Sequence, residues 1–299
     1  TNTFGLTEGP KSYFGEHYYA NIEKIVYLAI EEVDIAQRHI SSQPIVTAYF
    51  NGMTIKKRCA MTKRGKERRA RVVPRTVDRA SDDPVGQDAK IPLPTIYLGT
   101  RRFASIGEAN DSDVAVADSA MAEDDKAIMI DFMKSVIIGT EMTTDITEQS
   151  IKGVNKKSSQ PGYKKHDALA VSMGQDSLGS IATALASFSK IKREQHDSYV
   201  GGLLVIDELD VGFHPHAIDR LAKGLKKYAK QLDLQIVATT HSPRLISAIH
   251  PEGAGDNRAP DSVLYLLDTR APRVAENQSL MAILDDMALR DDEPVKASK

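Results

Sequence analysis

From residue 166 onward, short and wholly apolar runs alternate with amphipathic stretches, and this alternation limits the fold more than any other feature. The run Leu203-Leu204-Val205-Ile206 has no polar position, whereas a strand with one face in water would alternate apolar with polar residues. It predicts a strand buried on both faces. Helices are predicted near 177 to 193 and over 215 to 231, further strands at 234 to 239 and 263 to 267, and a short helix after Pro243. Buried strands separated by helices form a mainly parallel sheet flanked by helices, so the fold class is α/β.

The first half reads differently. Apolar residues at Tyr18, Ile22, Ile25, Val26, Ala29, Ile30, Val33 and Ile40 predict one core-facing helix over 17 to 40. Two β-rich segments, 45 to 50 and 53 to 61, flank Asn51-Gly52, a pair that suits a tight hairpin turn and predicts an antiparallel β ribbon. The ribbon runs into a basic block, because 56 to 79 holds eleven Lys and Arg against Glu67 and Asp78. Residues 107 to 125 reverse the sign, with seven Asp and Glu and no base. An Asp, Gly and Pro-rich linker is expected at 80 to 92, a short strand at Thr95 to Leu98, a helix near 121 to 138, and a polar Lys, Ser and Gly segment at 152 to 165. The expected organisation is a partial N-terminal lobe over 1 to 103, a helical subdomain over 104 to 170, and a third lobe over 171 to 299. Asp285, Asp286, Asp291, Asp292 and Glu293 read as a solvated helix end.

Composition narrows the class. A formal charge of −2, with 41% apolar and 27% charged residues, excludes a polycation and supports a full core. Cys59 is alone, so no intramolecular disulfide forms, and no apolar run approaches the roughly 18 residues of a membrane span. No secretory succession opens the chain, so a cytoplasmic setting without membrane contact is expected.

The strand at 203 to 206 ends in Asp207-Glu208, which puts two carboxylates at the carboxyl edge of the sheet, where open α/β sheets bind ligands. One acid can hold Mg²⁺ through its water shell, and the other can orient an attacking water. Asp210 and Gly212-Phe213-His214-Pro215 follow. One helix and one strand later comes Ala238-Thr239-Thr240-His241-Ser242-Pro243, and upstream lies Val171-Ser172-Met173-Gly174-Gln175. In this order the segments resemble the signature loop, Walker B strand, D-loop and switch histidine of ABC-type ATPases. The branch is the SMC-like and OLD-like one, AAA-family ATPases of the kind found in phage-defence and DNA-repair systems. The resemblance is specific over 166 to 268, and Tyr97-Leu98-Gly99-Thr100-Arg101-Arg102 resembles a strand and arginine segment of the same proteins.

It implies a P-loop NTPase-like head that binds ATP and Mg²⁺ and dimerises around nucleotide. Asp207 would support Mg²⁺, Glu208 would be the catalytic base, and His241 would reach the γ-phosphate. Asp210 would help position the site of the facing subunit. Ser172, Gly174 and Gln175 match three places of the Leu-Ser-Gly-Gly-Gln signature and would contact nucleotide, while Val171 and Met173 depart from it. Taken by themselves, Ser172 and Gly174 read equally as an ordinary helix start.

The phosphate-cradling loop G-x-x-x-x-G-K-[ST] is missing. The nearest string, Ala60 to Glu67, lacks the first glycine and ends in Glu67 where a hydroxyl is needed. With Thr1 in place of an initiator methionine, the expectation is an omitted N-terminal segment, with a partner polypeptide or a degenerate enzyme as alternatives. Two other functions stay open. One is a metal-dependent hydrolase built from Asp207, Asp210, His214, His216 and His241, and the other is a non-hydrolysing scaffold. The basic ribbon at 56 to 79 could contact DNA, or be a solvated hairpin, or meet the acidic block of another subunit. An effector protein is a further expected partner.

Overall fold

The computed structural model describes residues 2–31, 33–34, 45–50, 52–63, 69–78, 84–104, 106–154, 156–255, 260–268 and 272–288. In chain order its strands are β1 (Ile45–Phe50), β2 (Met53–Thr62), β3 (Arg71–Thr76), β4 (Thr95–Leu98), β5 (Val114–Asp118), β6 (Met142–Ile151), β7 (Lys156–Tyr163), β8 (Gly202–Ile206), β9 (Leu234–Ala238), β10 (Leu266–Leu267) and β11 (Arg273–Val274). The α-helices are α1 (Glu123–Val136), α2 (Met173–Gln195), α3 (Pro215–Gln231), α4 (Pro243–Ile249), α5 (Pro251–Ala254) and α6 (Leu280–Met287).

The α/β expectation holds where the apolar runs are. Strands β4, β8 and β9 form a parallel sheet in that order, with Thr95 opposite Leu203 and Gly202 opposite Leu234. The middle strand has partners on both sides, and its Leu204 and Ile206 are fully buried. Helix α3 starts at Pro215, whose missing N–H costs nothing at that position, and buries Ile218, Leu221, Leu225 and Tyr228. Phe132 of α1 meets Tyr228 edge-on at 5.7 Å, joining the two helices across the main core.

Helix α2 lies inside the molecule, with every residue from Ser177 to Phe188 buried. A helix buried all round must satisfy its hydroxyls. Ser180, Thr183 and Ser187 donate back to the carbonyls of Asp176, Gly179 and Thr183. Two of these hydroxyls also hold neighbours, because Thr183 Oγ1 accepts from Ser159 N–H and Ser187 Oγ from Tyr13 N–H, both at 3.0 Å.

Three expectations need correction. Residues 17 to 30 are not helical beyond one 3-10 turn at Ile22–Lys24. Gly5 and Lys11 bridge to Tyr19 and His17, Tyr18 is buried with its hydroxyl on Ser187 O at 2.6 Å, and Val26 and Tyr27 are exposed. Helical backbone starts at residue 31, and positions 35 to 40 lie outside the described residues. The ribbon has a third strand, β3, and Pro74 is tolerated there because β3 is an edge strand. Among the described residues of 104 to 170 there is one α-helix, α1, and an antiparallel sheet of β5, β6 and β7, whose last strand takes Lys156–Tyr163 of the polar segment. The linker positions 80 to 83 and the acidic residues Asp291, Asp292 and Glu293 lie outside the described residues.

Asp125, fully buried in α1, joins three parts of the fold. It accepts two hydrogen bonds from Arg193 of α2, at 2.8 and 2.7 Å, and one from the Tyr13 hydroxyl at 2.6 Å. Burial pushes its pKa up, but the bonds from Arg193 and Tyr13 outweigh burial and hold it below the usual carboxylate value. A depressed folded-state pKa stabilises the fold above the unfolded value of about 3.9, and that contribution is lost as pH falls through the folded value. Asp125→Ala is expected to cost about 3 kcal/mol in urea denaturation at neutral pH, because it leaves Arg193 and Tyr13 without their acceptor. Asp125→Asn should flatten the acid limb of the stability profile.

Candidate functional site

Because β4, β8 and β9 run in parallel, their three carboxyl ends open on one edge of the sheet. Gly99 to Arg102 leave β4 there, Asp207 to Asp210 leave β8, and Thr239 to His241 leave β9. The acidic turn is fixed from both sides. Asp207 N–H donates to Leu98 O at 2.9 Å, Glu208 N–H to Thr239 Oγ1 at 2.8 Å, and Leu209 N–H to Thr239 O at 2.9 Å. The Thr239 hydroxyl in turn donates to Asp207 Oδ1 at 2.6 Å, and the Tyr97 hydroxyl approaches Asp207 Oδ2 at 3.4 Å. Burial, then Asp207, pushes the Tyr97 phenol above its ordinary pKa, so it remains a donor.

Glu208 has φ of +51°, a left-handed backbone that is uncommon for a residue with a side chain. Its carbonyl accepts from Arg102 Nη2 at 2.6 Å and from Val211 N–H at 3.2 Å. Arg102 is 4% exposed, and burial lowers its pKa to about 10, opposed by Asp207 and Glu208, which leaves it charged at neutral pH. Asp210 accepts the Thr240 hydroxyl, and Thr240 Oγ1 accepts from Ser242 N–H at 3.0 Å. Ser242 caps α4, and the His241 side chain is exposed. Asp207, Glu208, Asp210 and His241 thus come off adjacent strands of one sheet edge.

Ser172 and Gln175 form a reciprocal capping box at the start of α2. Ser172 Oγ accepts from Gln175 N–H at 3.2 Å, and Gln175 Oε1 accepts from Ser172 N–H at 2.9 Å. Gly174 abuts the loop after the acids, where a Cβ would lie 2.3 Å from Gly212 O. Local capping and close packing account for these three residues within one chain, and they seat the α2 N-terminus against the acidic turn. At the end of the first turn, buried Asp176 pairs with Lys156 of β7, which also donates to Ala104 O.

The transition-metal alternative is not assembled. His214 stacks on His216 at 4.9 Å and its Nδ1 accepts from His216 N–H, capping α3. Among the described residues, no three of His, Cys, Asp and Glu are grouped to hold a metal ion. Asp207 fits the smaller task of supporting Mg²⁺ through water, since each of its oxygens takes one hydrogen bond and keeps acceptor capacity.

A protein-family model described as "AAA domain, putative AbiEii toxin, Type IV TA system" matches residues 69–247, more than half of the chain and all of the edge just described. The chain belongs to this family. Its fold is therefore that of a P-loop NTPase-like ATPase, and a nucleotide-binding ATPase is the function class of this AAA family. Among solved structures, the SMC head domain from Thermotoga maritima is 15% identical with a TM-score of 0.40, covering 79% of this chain and 73% of that one. A structure described under ATP-driven dimerization and DNA-stimulated activation of SMC ATPases is 15% identical with a TM-score of 0.35, covering 55% and 91%. The Smc head domain with a coiled coil and joint from Pyrococcus yayanosii is 13% identical with a TM-score of 0.35, covering 55% and 28%. No curated protein matches the chain.

Sequence reasoning assigned no role to Arg102, Tyr97 or Thr239. Arg102 and Tyr97 flank the end of a strand in the quoted arginine segment, and Thr239 adjoins the switch histidine, so proximity to motifs was the only available signal. Replacing Gly174 by Ala is expected to cost about 1–3 kcal/mol in chemical denaturation, because the neighbour met is backbone and cannot swing aside. Ser172→Ala should cost about 1 kcal/mol, the loss of one cap.

Proposed function

We propose that this protein hydrolyses ATP with Mg²⁺ and that two copies enclose the nucleotide. The observation that carries the reading is the shared sheet edge, where the acidic pair of β8 lies between the Arg102 turn and the Thr239 to His241 segment. Asp207 would hold the Mg²⁺ water shell, with Thr239 and Tyr97 fixing its oxygens. Glu208 would orient the attacking water and take its proton, and among the described residues its carboxylate takes no hydrogen bond that would compete. His241 would reach the γ-phosphate. ATP and Mg²⁺ supply the phosphoryl group and its charge neutralisation when bound.

In this reading Ser172, Gly174 and Gln175 act across the dimer, presenting the N-terminus of α2 to the phosphates of the facing copy. Asp210 is the matching contact on the acidic turn. Residues 1–299 contain no phosphate-cradling loop, so the reading requires that loop from outside them. The setting we propose is cytoplasmic, in phage defence or genome maintenance, with an effector protein downstream. No helix of the described residues is long and apolar enough to cross a membrane.

In the full-length protein, Glu208→Gln is expected to keep ATP binding, lower turnover by roughly 100-fold or more, and accumulate an ATP-bound dimer in size-exclusion chromatography. His241→Ala should reduce turnover more than binding. Hydrolysis at the wild-type rate by Glu208→Gln would refute the base assignment, and a wild-type protein that binds but never hydrolyses ATP would make it a scaffold.

DNA contact through 56 to 79 has weaker support. Lys57 is buried on Thr76 Oγ1 and Gly86 O, Lys63 pairs with Asp34, Arg75 pairs with Asp88, and Arg69 is bonded to Glu23 O and stacked on Tyr27. Lys56 and Arg71 are exposed, while Arg64, Lys66, Arg68 and Arg79 lie outside the described residues. Charge reversal at Arg68, Arg69 and Arg71 should weaken filter binding of duplex DNA and flatten its salt dependence if the ribbon is the contact. Unchanged binding at two salt concentrations would remove the ribbon from the interface.

A further inference from the structure

We propose that Arg102 is a positioning residue that couples the seat of the α2 N-terminal turn to the backbone at Glu208. The proposal rests on the ATPase reading, but its structural half can be tested without ATP.

One buried guanidinium joins three elements. Nε donates to Ser177 Oγ of α2 at 3.1 Å, Nη1 to the carbonyls of Leu98 and Gly99 at 3.3 and 3.0 Å, and Nη2 to the Glu208 carbonyl at 2.6 Å. The group also lies over the Phe103 ring at 4.0 Å. Its bond to Glu208 is the shortest of the four and meets the residue with left-handed backbone, so it holds the peptide that orients the proposed base. Ser177 follows the capping box by two residues, on the same helix whose Gly174 abuts Gly212. The two ends of the acidic turn are therefore both fixed to α2, one through Arg102 at Glu208 and one through backbone packing at Gly212. A shift of α2 cannot leave the Glu208 peptide unchanged. A lysine cannot replace this fork, since an ammonium is a point charge without the planar spread that reaches Ser177, the β4 carbonyls and Glu208 together.

Arg102 also lines a cavity of about 820 Å³ together with Tyr97, Gly99 and Arg101. Removal of the side chain would therefore leave a vacancy that a small solute can enter, and this permits chemical rescue.

The experiment compares wild type, Arg102→Gly, Arg102→Lys and Ser177→Ala in the full-length protein. ATP turnover and amide hydrogen exchange are read with and without millimolar methylguanidinium, with methylammonium as control. For Arg102→Gly, kcat should fall about tenfold or more with KM within about twofold, since a misplaced base acts in the transition state. Methylguanidinium should restore part of the loss. Methylammonium and Arg102→Lys should not. Exchange should rise together in 207–213 and in the first turns of α2, and fall again with methylguanidinium, and Ser177→Ala should shift both segments in the same direction by less. The proposal fails if the folded Gly and Lys variants turn over like wild type, if KM carries the loss, or if faster exchange stays within 99–103. Should wild type itself not hydrolyse ATP, the ATPase reading fails while the exchange arm still decides the coupling. If Arg102→Gly does not fold, Arg102→Lys and Ser177→Ala decide it, and unchanged exchange in both overturns it.

Discussion

Parallel pairing of β4, β8 and β9 in one register governs the rest of this molecule. Parallel strands cannot be joined by tight hairpins, so each connection must leave the carboxyl edge, cross a face of the sheet and return. Every chain reversal that carries polar chemistry is thereby gathered on the same edge, whatever the distance in sequence. Gly99 to Arg102 are more than a hundred residues from Asp207, yet Leu98 O accepts from Asp207 N–H because β4 and β8 are neighbours in register. The same arrangement explains the composition of the strands. The central one meets a strand on each side and cover on both faces, which accounts for an apolar run without interruption, whereas Gln235 and Val237 of β9 are exposed.

Helix α2 is the second organising element, and it works by polar contacts as well as by an apolar stripe, Leu178, Ile181, Leu185, Phe188 and Ile191, buried in the main core. Ser, Thr, Gly and Ala side chains let other segments approach closely. A Cβ on Gly179 would meet Ser159 O at 2.7 Å, so β7 rests almost on the helix backbone. The buried Lys156–Asp176 pair lies on the same interface. Desolvation weakens such a pair as a source of stability, and burial does raise the Asp176 pKa against the pull of Lys156. Its value is in register, since sliding β7 along α2 would leave both charges buried and unpaired.

Legibility in the sequence follows the same division. The strand at 203 to 206, helix α3 from Pro215 and the acids at the strand end could be read because apolar burial and capping leave a pattern in residue types. Strand β7 could not. Its Lys156, Ser158, Ser159 and Gln160 are buried against the polar side of α2, and an interface made of hydrogen bonds has no hydrophobic period. The helix expected over 17 to 40 failed over its described part up to residue 30 for the opposite reason. Its apolar spacing was real, but Tyr18 enters the main core while Val26 and Tyr27 are exposed, and bridges to Gly5 and Lys11 hold the segment extended. At the candidate site, Ser172, Gly174 and Gln175 match the signature and read equally as a helix start, and capping and packing use them within one chain. Arg102 and Thr239 stand inside family-like segments without a role of their own, because their contacts arise only when β4 and β9 come to lie on either side of β8.

The backbone at Glu208 draws these strands together. A left-handed conformation costs a residue with a Cβ on the order of 1–2 kcal/mol, so it persists only where surrounding contacts determine it. Here the amide is taken by Thr239 from β9, the carbonyl by Arg102 from the β4 turn, and the following amide by Thr239 O. The direction of the side chain is therefore set through its own peptide rather than by hydrogen bonds to its carboxylate. Among the described residues no hydrogen bond reaches that carboxylate, so its oxygens keep their acceptor capacity while the peptide that carries them is fixed.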